Sequence, residues 1–85
     1  MDLIKGQIVR VRLAEDNGEW CYGEVALISP NQKSAILYLD GAVRTNSGGM
    51  IVNVLPLVID PDAETVTGLI DGSIYEIEVE QAGNG

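Results

Sequence analysis

The chain has no histidine and no phenylalanine, one cysteine, and only five basic residues among 85. The missing histidine removes the commonest general base and the commonest metal ligand. With Cys21 alone, no disulfide can close within the chain, so the usual staple of small secreted domains is missing and a cytoplasmic location is expected. No apolar stretch reaches the ~18–20 residues that a membrane-spanning helix needs. Met1-Asp2-Leu3-Ile4-Lys5-Gly6 is too short and mixed for the apolar core of a secretion signal. A soluble, intracellular protein without a membrane partner is therefore expected. Nucleic-acid binding draws its affinity from a stripe of Lys and Arg, and five scattered cations do not make one. No nucleic-acid partner is expected.

Amphipathic helices are lacking too. Gly and β-branched residues interrupt every candidate window, and period 2 fits the apolar pattern better than 3.6. The first strand reads Gln7 to Leu13, with Val9, Val11 and Leu13 on one face and Arg10 and Arg12 on the other. Asn17-Gly18 supplies a tight hairpin turn. A second strand, Trp20 to Ile28, sets Cys21, Gly23, Val25 and Leu27 against Trp20, Tyr22 and Glu24. Gly23 marks a bulge or a point of close backbone approach. After the turn Ser29 to Lys33, the third strand is Ser34 to Leu39, ended by Asp40-Gly41. The Gly-rich stretch Gly41 to Gly49 reads as a flexible connection.

What the chain has in excess is one apolar run, Met50 to Ile59, interrupted only by Asn53. A strand apolar on both faces must have both covered, and a chain this short buries only about 60–65% of its unfolded surface. The run implies burial against a second copy or a partner. Pro56 cannot donate to a ladder and is expected to break it, with a turn into Leu57-Val58-Ile59. Past Asp60-Pro61-Asp62, Thr65 to Ile70 and Ile74 to Val79 form a hairpin about Asp71-Gly72. Tyr75, Ile77 and Val79 line one of its faces, and could cover part of the second face of the run. Gln81 to Gly85 read as a disordered tail.

Charge is unevenly distributed. Residues 1–59 carry five basic and six acidic side chains, whereas residues 60–85 carry seven acidic and none basic. Glu76, Glu78 and Glu80 share one strand face, a solubilising surface or a landing strip for a basic partner. Laid over Arg10 and Arg12 of another subunit, they would account for the asymmetry within an oligomer. Asp60, Asp62 and Glu64 have cation-like spacing but lack the glycine of a calcium loop, and a solvated turn is the better reading. Cys21 alternates with core residues and reads as packing. Arg44 and Asn46, in the Gly-rich connection, form the rim of any ligand site.

Val9-Arg10-Val11-Arg12-Leu13, Trp20 before Gly23-Glu24-Val25, Ala35 to Asp40-Gly41 and a closing apolar strand together resemble an SH3-like small barrel. In its Tudor and agenet branch, the resemblance implies an aromatic cage, for which the body offers Trp20, Tyr22 and Tyr38, with Leu39 in place of an aromatic beside Asp40-Gly41. Gly48-Gly49 followed by Val52-Asn53-Val54-Leu55-Pro56 is similar to the pore-lining strand of the plasmid-borne dihydrofolate reductases. That family's Gln and Tyr are here Asn53 and Leu55. The general style also resembles proteins of unassigned function carried on mobile gene cassettes.

The expectation is thus one all-β domain, with an SH3-like barrel over 6–59 and an acidic hairpin over 60–80. It is expected to act as a non-enzymatic protein-binding or assembly module, homo-oligomeric or bound to another protein, a basic one being the partner that the acidic strand suits. The alternative is a pore-lining reductase with Asn53 as polar contact. No catalytic residue, metal or cofactor is expected; the candidate contacts are Arg10, Arg12, Trp20, Tyr22, Arg44, Asn46, Asn53, Glu76, Glu78 and Glu80.

Overall fold

Six strands form in the computed structural model, which describes residues 1–81: β1 Ile8–Leu13, β2 Cys21–Ile28, β3 Ser34–Arg44, β4 Met50–Ile59, β5 Thr65–Gly68 and β6 Ile74–Gln81. Each pairs antiparallel with the next, and β6 pairs back on β1, so the sheet closes into a barrel. The expected tail, apart from Gln81 at the end of β6, lies outside the described residues. None of the described elements is a helix long and apolar enough to cross a membrane.

The period-2 alternation builds the core. Val9 and Val11 of β1, Val25 of β2, Leu37 of β3, Leu55 and Leu57 of β4, Val66 of β5 and Tyr75 of β6 are all fully or almost fully buried. The hairpin at the C-terminal end forms as expected, but it is not laid over a barrel completed by residue 59. It supplies the last two staves, with Val11 opposite Ile77 and Leu13 opposite Tyr75. Tyr75 and Ile77 therefore fill the interior and leave the outside of β4 uncovered. Val79 is exposed, because β5 pairs no further along β6 than Glu76.

The apolar run is one unbroken strand, contrary to the break expected at Pro56. The Pro56 carbonyl accepts from Leu69 N at 2.9 Å, on the β5 side. The N–H and C=O of a strand residue point the same way, so the missing donor faces the end of short β5 and costs the β3 ladder nothing. Inside lie Ile51, Leu55, Leu57 and Ile59; outside, Met50, Val52, Val54 and Val58 remain 41–58% exposed.

Two irregularities displace expected positions. Between Val25 and Leu27 the β2–β3 register slips by one, so Leu27 turns outward instead of into the core. The bulge thus sits at Ala26, while Gly23 is the close approach: a Cβ there would lie 2.8 Å from the Tyr38 carbonyl oxygen. The third strand does not end at Asp40-Gly41. It continues to Arg44 through a second bulge, in which Leu39, Asp40 and Gly41 oppose only Asn53. Gly41 (φ 130°) and Asn53 (φ 69°) carry the backbone strain of that bend.

Candidate functional site

The outside of the barrel has two unlike faces. On the first, β1 and β6 bring Arg10 opposite Glu78 and Arg12 opposite Glu76. Arg10 Nε and Nη2 both donate to Glu78 Oε1, at 3.0 and 2.5 Å, and Nε lies 3.6 Å from Glu80 Oε2. The hydrogen bond to Glu78 holds the Arg10 pKa above its ordinary value. Arg12 Nε donates to Glu76 Oε2 at 2.6 Å. Trp20 lies beneath both guanidinium groups, its ring centre 4.2 Å from Arg10 and 4.3 Å from Arg12. The acidic strand and the arginines therefore neutralise one another within one chain. They do not need a second subunit, as the charge asymmetry had suggested.

The second face belongs to β2, β3 and β4. Alternation turns Tyr22, Glu24, Tyr38 and Asp40 outward together, with Tyr38 opposite both Glu24 on β2 and Val54 on β4. Tyr22 and Tyr38 flank a groove of about 360 Å³ whose floor includes Gly23 and whose walls include Glu24 and Asp40. Among the described residues neither of these carboxylates is in an ion pair. Of this groove Tyr22 was among the candidate contacts expected from the sequence, and Tyr38 entered only as an aromatic available for a cage. The shared outward parity of Tyr22 and Tyr38 was the available signal, but their cross-strand neighbourhood depends on register. Beyond Tyr38 the face is apolar through Val54, Val52 and Met50 and ends at Arg44, opposite Met50. Arg44 is 69% exposed in its side chain, with one loose contact to Asp16 at 3.7 Å. Asn53 sits on the bend, exposed.

At the end of the barrel the Gly-rich connection is tied down rather than loose. Thr45 N donates to Gly49 O, Gly49 N to Thr45 Oγ1, and Asn46 N to Ser73 Oγ at 2.9 Å. Ser73 in turn donates to Asp71 Oδ1 at 2.5 Å, and Ser47 Oγ reaches Asp71 Oδ2 at 3.3 Å. These bonds, the Ser73 hydroxyl first, hold the Asp71 carboxyl below the ordinary carboxylate range. So Asn46 contributes its backbone to a structural lock, and its partners Asp71 and Ser73 come from a turn more than twenty residues away. Arg44 instead borders a cleft of about 380 Å³ between the β1–β2 connection and the ends of β3 and β4, shared with Arg12, Asp16 and Glu19. Two cations and two acids face each other there, and that mixture selects neither an anion nor a cation.

Cys21 is buried, with its thiol pKa raised by burial, which makes it inert packing. The Asp60 carboxylate caps its own turn, accepting from Asp62 N at 2.9 Å. Among the described residues no group of three or more acids or cysteines could hold a metal ion. Compared with known proteins, the chain matches no family model, no curated protein and no solved structure.

Proposed function

We propose that the protein is a non-enzymatic assembly module that binds a second copy of itself through the outward face of β3 and β4. One observation carries this reading: Met50, Val52, Val54 and Val58 stand exposed along one strand face with no charge among them. A contiguous uncovered apolar patch marks an interaction surface. The patch lies on a body measuring 36 × 22 × 18 Å, whose broad side as a whole is of the order of the ~800 Å² per partner that a standard interface buries, so the polar residues around the patch must share in the contact. A second copy fits better than a strongly charged partner, because an uncharged patch is complementary to itself under two-fold rotation. Barrel closure also favours face packing over strand addition, which needs a free sheet edge.

Within this reading the SH3-like likeness describes a scaffold that presents sheet faces and not an active site, and the lone buried thiol suits a reducing cytoplasm. Sedimentation equilibrium from micromolar to hundreds of micromolar protein tests the proposal. A dimer is expected, and Val54→Asp, which puts a charge at the patch centre, should return it to monomer. A monomer throughout that range would overturn the proposal.

A further inference from the structure

The apolar face is not the same at its two ends. One end holds the Tyr22–Tyr38 groove with Glu24 and Asp40, two aromatic rings and two acids in no ion pair among the described residues; Arg10, across from Tyr22 on β1, is engaged by Glu78 and Glu80. The other end holds Arg44, an exposed cation with only a 3.7 Å contact. Between them lie Ala42 and Val52, directly opposite each other on β3 and β4. On β4 the partners of Arg44 and Tyr38, Met50 and Val54, lie two residues to either side of Val52, because the bulge takes up Leu39 to Gly41; Arg44, Tyr38 and Asp40 are all exposed.

Resting on the self-association proposed above, we infer that the dimer is isologous, with its two-fold axis through the Ala42–Val52 pair, and that each Arg44 enters the Tyr22–Tyr38 groove of the other copy. Rotation about that axis carries Arg44 onto Tyr38, at the edge of the groove, and Val54 onto Met50. The small side chain of Ala42 lets the faces approach at the axis. A guanidinium in the groove meets two carboxylates and the faces of two aromatic rings, the surroundings that favour Arg at an interface. The alternative alignment, with the two strands running the same way, would stack acids on acids and arginine on arginine. Charge placement therefore selects the antiparallel alignment and fixes its register. Lys33, the exposed cation in the β2–β3 turn, lies far from Ala42 along β3 and takes no part.

Charge reversal separates this geometry from association in general. In sedimentation experiments Arg44→Glu and Asp40→Arg should each weaken the dimer by about tenfold or more. The double variant should restore it to within a few-fold, and Lys33→Glu should leave it unchanged. All three positions are on the surface, and unchanged melting curves establish that the variants fold. A dimer that resists Arg44→Glu but dissociates with Val54→Asp would overturn the groove assignment and leave self-association standing. Failure of the double variant to recover would also overturn it, and a monomeric wild type would remove both proposals.

Discussion

The phenolic hydroxyl of Tyr75, on a side chain without solvent exposure, donates to the backbone carbonyl of Arg44 at 2.9 Å. This bond joins β6 to the end of β3, elements that do not pair in the barrel. It thereby ties the outward-facing Arg44 to the core. Tyr75→Phe keeps the ring packed but leaves a shielded carbonyl without its donor. A loss of about 1–3 kcal/mol is expected. Urea denaturation should show a lower midpoint with an unchanged slope, because the surface exposed on unfolding stays the same.

The Asp71 carboxylate ties two turns together, through Ser73 on its own turn and Ser47 on the other. Its pKa in the folded protein is lowered, chiefly by the Ser73 hydroxyl. The unfolded value is about 3.9. A depressed folded pKa means that the contribution to stability is complete above the unfolded value and is lost as pH falls through the folded one. Wild type should therefore exceed Asp71→Asn in stability at neutral pH, and the gap should narrow on acidification below about pH 4. Melting temperatures of both proteins across pH 2.5 to 7 check this; a gap that stays constant would show that the carboxylate charge is not what holds the turns.

Much of the barrel was legible because burial imposes period 2 on each strand. Val9 with Val11, and Tyr75 with Ile77, fall on shared apolar faces by alternation alone, and all four are buried. Gly23 announced a close approach because only a missing side chain permits one. What alternation cannot supply is register. Pro56 looked like a break because the side of β4 on which its absent donor falls depends on where β5 ends. The extra residue at Ala26 reversed Leu27, and the bulge at Gly41 prolonged β3, both without a mark in the local pattern. The candidate surfaces show the same limit. The outward parity of Arg10, Arg12, Glu76, Glu78 and Glu80 was readable, but that they meet in one chain follows from β1 pairing with β6 across more than sixty residues. The lock of Asn46, Asp71 and Ser73 joins two turns that no local spacing relates.

Trp20 supports the charged face through its ring, which lies under Arg10 and Arg12. Two guanidinium groups stacked on one ring are each attracted by the negative face of its π-system. Their partly exposed ion pairs with Glu76 and Glu78 add little individually. Trp20→Ala should thus cost more than removal of either glutamate, about 1–2 kcal/mol in chemical denaturation. Trp20→Phe should recover part of that loss, because an aromatic face remains. Equal losses for Ala and Phe would assign the contribution to the indole N–H instead of the ring.

Asn53 distinguishes a folding role from a chemical one. It stands at φ 69°, opposite the three-residue bulge of β3, in a region that favours Asn and Gly over other side chains. A β-branched residue there pays about 1–2 kcal/mol for the left-handed conformation, whereas glycine pays none. Asn53→Val should therefore destabilise the barrel by about that amount, and Asn53→Gly should leave it within about 1 kcal/mol of wild type or slightly more stable. The same glycine variant should dimerise as tightly as wild type, since the proposed contacts come from Arg44, the groove and the valines. Should glycine be tolerated in folding but abolish association, the amide itself would be an interface contact, and the two-fold axis would have to move toward the bend.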